Sequence, residues 1–261
     1  MKKLLVFSTL LLLSLILISC EKKDESPTGP DIQFNLNPQL GKIYNFNGYV
    51  LDSLNRRTQE SFSYSEKCAA KNVSIGGVND AFVSVQYSTD YYYADTAYLR
   101  VVNGKDVYEY TDTTGFFTNS ASLKMNIKNS LQKLTQNYVW LPRLLLSKGN
   151  NAEYIILTKR TYTMAVDSGV YANVSFEMKG KNEGFENVTV PAGTYNAYKV
   201  KAIISIEVSA YGQKLDSFEM IQYIWVSDDL DWWIKQYQPT TKSNLFGVIE
   251  LGKEIELTSV Q

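Results

Sequence analysis

Histidine is absent from the 261 residues, and cysteine occurs only as Cys20 and Cys68. The missing imidazole excludes Ser-His-Asp and Cys-His nucleophile pairs, histidine-ligated zinc and the usual general base near neutral pH. Two cysteines are too few for a disulfide framework. Neither sign of charge dominates, since 26 basic against 27 acidic side chains give a net charge of −1. Such a balance excludes the basic footprint of a nucleic-acid binder, so no nucleic-acid partner is expected. Glycine-rich phosphate loops, CxxC pairs, the glycine-flanked serine elbow and solenoid or propeller repeats are also missing. Enzymes built from carboxylates alone survive these exclusions. Glu177, Glu183 and Glu207 fall on or beside expected strands, but no spacing singles out an acid/base pair. No catalytic residue, cofactor or metal site is therefore expected. The run Ser227-Asp228-Asp229-Leu230-Asp231 lacks the full spacing of a calcium loop and reads as a solvated turn between strands.

Long hydrophobic runs are missing as well, except at the start. Lys2 and Lys3 precede an apolar stretch from Leu4 to Ile18, and small Ser19 follows, which is the layout of a secretory signal peptide over residues 1–19. The run falls short of the roughly 20 apolar residues that cross a bilayer as a helix. Leu17-Ile18-Ser19-Cys20 resembles the bacterial lipobox. That resemblance implies cleavage between Ser19 and Cys20 and acylation of Cys20, which would tie the mature chain to a membrane. One acyl chain binds only marginally, whereas two or three anchor durably. Lys23-Asp24-Glu25 resembles the export signal of surface lipoproteins in Bacteroidota-type bacteria, implying outer-membrane display at the cell surface. The same three residues also suit a solvated tether on the periplasmic face.

Residues 20–38 are polar and punctuated by Pro27, Gly29, Pro30 and Pro38, a composition that buries too little apolar surface to offset chain ordering and reads as a flexible tether. From residue 39 to 261 the texture is that of one β domain, rich in tyrosine, valine and threonine. Tyr198, Val200, Ala202, Ile204, Ile206 and Val208 alternate with mostly polar residues, a long half-buried strand. Tyr171–Met178 alternates likewise, and Phe218–Trp225 is apolar on both faces. Shorter candidates are Lys42–Val50, Ser61–Ala69, Ala81–Tyr87, Ala97–Val102, Asp106–Tyr110, Glu153–Tyr162, Asn187–Val190, Trp232–Gln236 and Gly247–Leu257. Turns at Asn103-Gly104, Lys148-Gly149-Asn150 and Tyr211-Gly212 imply meander connections. The lone Cys68 reads as a small buried hydrophobe in a strand.

One segment departs from this pattern. Leu123, Ile127, Leu131 and Leu134 recur at helical spacing, giving an amphipathic helix over 121–137 that would pack on the sheet. The fold class expected is mainly β: a single curved antiparallel sheet, half-barrel-like, with this one helix.

Val188-Thr189-Val190-Pro191-Ala192-Gly193-Thr194-Tyr195, followed by Tyr223-Ile224-Trp225-Val226 and Trp233-Ile234-Lys235, resembles a pattern in exported bacterial β proteins similar to the lipoprotein-carrier fold. Asp231 stands where that pattern usually has glycine. Pro191 and Gly193 suit a sharp reversal on physical grounds alone. The resemblance implies a sheet wrapped around helices, often enclosing an apolar cavity. Two functions follow as expectations. The first is a lipid-anchored, non-catalytic envelope binding protein holding an apolar ligand, lipid or acyl chain, among Leu123, Ile127, Leu131, Leu134, Trp140, Tyr198 and Val200. Trp140, Leu141 and Leu144 to Leu146 would form its mobile rim, although the same apolar faces would equally build a solid core. The second is a surface glycan-binding or adhesion module using Tyr91, Tyr92, Tyr93 and Tyr98 as flat sugar-stacking rings.

Overall fold

The computed structural model describes residues 34–88, 93–112, 138–167 and 170–261. The signal peptide expected over 1–19, the lipobox-like Leu17 to Cys20, the triplet Lys23-Asp24-Glu25 and the helix expected over 121–137 all lie outside these residues.

Twelve strands form one antiparallel sheet, built as two meanders. The first runs β1 (Ile43–Leu51), β2 (Arg57–Ile75), β3 (Val78–Ser88), β4 (Tyr93–Val102), β5 (Asp106–Asp112) and β6 (Tyr138–Leu145). The second runs β7 (Glu153–Asp167), β8 (Val170–Val190), β9 (Gly193–Ala210), β10 (Gln213–Ser227) and β11 (Trp232–Gln238). A small hairpin of β12 (Thr241–Ser243) and β13 (Gly247–Glu250) follows before β14 (Lys253–Val260). β14 pairs with β11 on one side and with β1 on the other, so the last strand joins the two meanders.

The sheet's edges are thus β6 and β7, which are consecutive in the chain and connected through one 3₁₀ turn, Leu146–Lys148. No ladder joins them. Side chains bridge the seam instead: the Leu145 N–H donates to the Tyr154 hydroxyl of β7 at 3.3 Å, and from β8 the Asn182 amide donates to the carbonyls of Leu145 and Gly149 at 2.9 and 3.1 Å. The Tyr154 ring lies where a Cβ on Gly180 would sit, 2.2 Å from that position, so β8 needs glycine there for the ring to reach across. The half-barrel expected from sequence is therefore corrected to a nearly closed barrel with a seam between β6 and β7.

Several boundaries differ from the expectation for physical reasons. Tyr171–Met178 and Asn187–Val190 are parts of one 21-residue strand, β8. Its centre was hidden because Gly180 and Asn182 occupy inward positions where an apolar residue would have kept the period of two. Leu144, Leu145 and Leu146, expected in a mobile rim, are buried at the inner end of β6, and Leu141 is buried with them. Gly247–Leu257 is two strands broken around Gly252. Phe34 and Leu36, ahead of the boundary expected at 39, are buried in the core, with Phe34 stacked on Phe185 at 5.5 Å.

These last contacts define an entry end of the barrel, where the chain joins the sheet. Here the Asn35 N–H donates to Asp228 Oδ1 and the Leu36 N–H to the Gly104 carbonyl. Asp228 thus braces the incoming chain. Asp231 takes φ 61 in the position where the related pattern has glycine, and Gly193 takes φ 145 in the turn that precedes β9. The opposite end, open among the described residues, carries the β1–β2 turn, the β9–β10 turn and the β12–β13 hairpin.

Candidate ligand cup

β9 shows how the interior is built. Its even positions face inward, as expected, and pair with Ile224, Val226, Gln222 and Met220 of β10. Toward the entry end those positions are apolar, and the interior is filled by Tyr44, Phe46, Val107, Tyr198, Val226 and Leu257. Phe46 stacks on Trp233 at 3.9 Å between centroids. A gap of only about 10 Å³ remains there, between Leu36, Val107, Leu144, Val226 and the two tryptophans of β11. Tyr198 and Val200, named from sequence as cavity residues, stand in this filled half, both essentially without solvent contact. Burial pushes the Tyr198 phenol up to about 12.

Toward the open end the inward positions of β9 stay apolar, at Ala202, Ile204 and Ile206, but those of one wall change character. On β3 they are Phe82, Ser84, Gln86 and Ser88, while Val83 and Val85 point outward, the reverse of the usual sorting. On β10 and β11 they are Gln222, Gln236 and Gln238. The result is a cup of about 300 Å³ lined by Phe62, Tyr64, Gln86, Ser88, Arg143, Gln222, Gln236, Gln238, Lys253 and Ile255, with Tyr87 at its edge. A side chamber of about 140 Å³ shares Arg143 and Gln222 and reaches Glu109, Thr111, Leu141, Met178 and Ala202 near the seam.

Arg143 stands between the two chambers. It is placed there by a bulge opposite Val107 and Tyr108, where Pro142 cannot donate to the ladder. Its guanidinium is a quarter exposed, and its one ion pair among the described residues, to Glu109, is 3.5 Å long. Gln222 donates to Gln236 at 3.3 Å, so these two amides are ordered against one another. The floor is held from below by Glu66, 2% exposed, which accepts from Ser84 Oγ at 2.5 Å and from Trp233 Nε1 at 2.9 Å. Burial, then the Glu66 carboxylate, drives the Tyr64 phenol well above its ordinary range, with Arg143 pulling the other way. Tyr64 is therefore a neutral floor residue. Chemically, the cup offers amides that both donate and accept, a guanidinium whose donors meet only Glu109 among the described residues, and flat rings.

Other residues singled out from sequence are placed elsewhere. Trp140 pairs with Tyr110 on the outer face, 5.2 Å between centroids, and its Nε1 donates to the Gly76 carbonyl at 3.0 Å. Tyr98 is opposite Tyr110 in the same row, whereas Tyr91 and Tyr92 lie outside the described residues. Glu177, Glu183 and Glu207 are each engaged by a lysine on the outer face: Lys179 at 2.8 Å, Lys199 at 3.1 Å and Lys159 at 3.8 Å. Among the described residues no group of three or more Cys, Asp or Glu is placed to hold a metal ion. Cys68 is buried in β2, and burial pushes its thiol up. Sequence reasoning missed Arg143 and the four glutamines. Their signal was inverted alternation: polar residues on the face that period-two reading leaves to solvent.

No protein-family model matches the chain, and no curated protein matches it. Solved structures similar to it include a candidate lipoprotein of Parabacteroides distasonis, with a TM-score of 0.44 and 11% identity over 87% of this chain and 98% of that one. A candidate exported protein with YmcC-like fold from Bacteroides fragilis gives 0.41 and 11% over 87% and 99%. The hypothetical lipoprotein YmcC from Escherichia coli gives 0.30 and 10% over 90% of each chain.

Proposed function

We propose that this chain is an exported, lipid-anchored and non-catalytic binding protein of the cell envelope, held at the outer membrane through acyl groups on Cys20, and that the open-end cup is its ligand site. The signal-peptide layout and the lipobox-like Leu17 to Cys20 support the anchor, and the lysine-acid-acid triplet supports display at the cell surface. The observation that carries the binding role is the lining of the cup. Four glutamines, Ser88 and Arg143 face a concavity in which a barrel with no ligand to bind would place apolar side chains, as this one does in its other half. Burying such groups without partners is costly, whereas a polar ligand would satisfy them.

That lining favours a ligand with several hydrogen-bonding groups over a bare acyl chain. Phe62 and Tyr64 offer ring faces beside the amides, which suits a polyhydroxylated or phosphorylated group. A thermal-shift screen of the acylated protein in neutral detergent tests this. Sugars, sugar phosphates and glycerophosphodiesters are compared with fatty acids, on the wild type and on Arg143→Gln. A rise in Tm with a polar class that is lost in Arg143→Gln supports the cup. A rise with fatty acids alone contradicts it.

A further inference from the structure

The mouth of the cup is as unusual as its lining. Most of the large apolar side chains exposed on the described residues stand toward the open end, several of them on or beside separate turns. Leu54 is on the β1–β2 turn, Leu215 is the third residue of β10, and Leu245, Phe246 and Val248 crown the β12–β13 hairpin, each between 46 and 64% exposed. Hairpin tips in water ordinarily carry polar residues, and contiguous exposed apolar groups mark interaction sites.

These tips are held in place. Asp216 accepts from Ser243 Oγ and from the Leu245 N–H at 3.2 Å, and the Ser243 hydroxyl in turn accepts from the Phe246 N–H at 2.9 Å. The Thr240 N–H donates to Asn55 Oδ1 at 2.6 Å, and its hydroxyl donates to the Asp52 carbonyl at 2.8 Å. Three turns are thereby braced into one rim. The rim is continuous with the cup, because the hairpin hangs between Gln238 of β11 and Lys253 of β14, and both of those residues line the cup.

A polar, partly cationic interior behind a braced apolar mouth is complementary to one chemical class. We infer that the cup takes the polar head of a phospholipid presented at a membrane face, with the glycerol backbone and first acyl carbons against Leu245, Phe246 and Leu215. This inference rests on the cup being the ligand site. Arg143, whose donors find only Glu109 at 3.5 Å among the described residues, matches a phosphodiester, since a guanidinium binds such oxygens in a planar, bidentate manner. Lys253 at the mouth, paired with Glu250 at 3.5 Å, adds a second ammonium, and Gln86, Gln222 and Gln238 face the hydroxyls of the head. The arrangement inverts the apolar pocket expected from sequence: the head enters, and the tail stays at the rim. An apolar rim around a polar interior also suits the edge of a bilayer, where tyrosine, phenylalanine and leucine partition into the interface. Tyr87 and Tyr171 are exposed at the same end.

Titration calorimetry on the acylated protein in neutral detergent separates the parts of the ligand. The probes are dihexanoylphosphatidylglycerol below its micelle concentration, glycerophosphoglycerol as the head alone and hexanoate as the tail alone. The expected order is lipid, then head, with no binding of hexanoate. Arg143→Gln should weaken both lipid and head. The double variant Leu245→Ser/Phe246→Ser should weaken the lipid by about tenfold and leave the head unchanged, since two half-exposed apolar side chains lose their contacts. Gln238→Ala, at the exposed mouth, repeats the head test if Arg143→Gln proves unstable. Head binding with lipid affinity unaffected by the double variant overturns the amphiphile and leaves the cup standing. Failure of every polar probe overturns the cup itself, and concentration-dependent dimerisation abolished by the double variant assigns the rim to self-association and overturns the membrane role.

Discussion

At the scale of single residues, the interior is distinguished by what its polar groups are tied to. Glu66 is fully engaged by Ser84 and Trp233 and acts as a structural clasp between β2, β3 and β11. Arg143 and the glutamines are tied loosely or to one another, the condition of groups available to a ligand. Tyr154 is of the first kind. Its ring lies over Gly180, and its hydroxyl accepts from Leu145, while burial pushes its phenol up to about 12. A raised phenol favours the protonated, folded state, so its contribution is complete below pH 10 and is lost as the pH rises from 10 to 12. Tyr198 acts in the same direction over the same window. Stability measured by urea unfolding should therefore fall between pH 10 and 12, and Tyr154→Phe should fall less steeply. An identical slope in the variant would remove Tyr154 from the account. Cys68 was legible in the sequence as a buried strand residue, because burial of a small thiol needs no partner. Arg143 was not, because a charged residue beside Pro142 in a leucine-rich segment gives no sign of facing inward.

Elements were legible where one face is apolar and the other wet. The even positions of β9 announced their orientation, and β1, β5 and β11 appeared within a residue or two of their bounds. β3 and β8 were harder, since Ser84, Gln86, Gly180 and Asn182 place polar or absent side chains on the inner face. The seam explains the demand on β8. Asn182 has no solvent contact and bridges to Leu145 and Gly149, doing with one amide what a strand ladder does elsewhere. The edges it joins are protected from pairing with other chains: Pro142 interrupts β6, and β7 carries three register shifts. Asn182→Ala should cost about 1–3 kcal/mol, the range for leaving buried polar groups unpaired. Hydrogen exchange should show the loss concentrated in β6 and β7. Uniform loosening across all strands would mean that the seam is not an independent element. On the outer face β2, β9, β10, β11 and β14 satisfy one another: Lys235 bridges Glu254 and Glu256 at 2.6 and 3.0 Å, Arg57 joins both acids, and Lys199 lies over Tyr223 and Trp225.

At the scale of the molecule, the barrel is polarised. The entry end is filled, stacked and closed by Phe34 and Leu36, directly beyond the segment expected to carry the anchor. The open end holds a polar cup behind an apolar, braced rim. The mainly β class, the single sheet and the meander order were legible in alternation and turns. Near-closure was not, since it depends on β1 meeting β14 and on the Tyr154 and Asn182 bridges, contacts that no local pattern encodes. Nor was the cup, because reading alternation assumes that the inner face is apolar. The central claim is that an acylated envelope protein retains a polar ligand through Arg143. Native mass spectrometry of the protein extracted from membranes tests it most directly. The expected species is a polypeptide that begins at an acylated Cys20 and carries a non-covalent ligand with a polar head, retained by the wild type and lost from Arg143→Gln. A ligand-free protein, or a fatty acid retained equally by both, would contradict it.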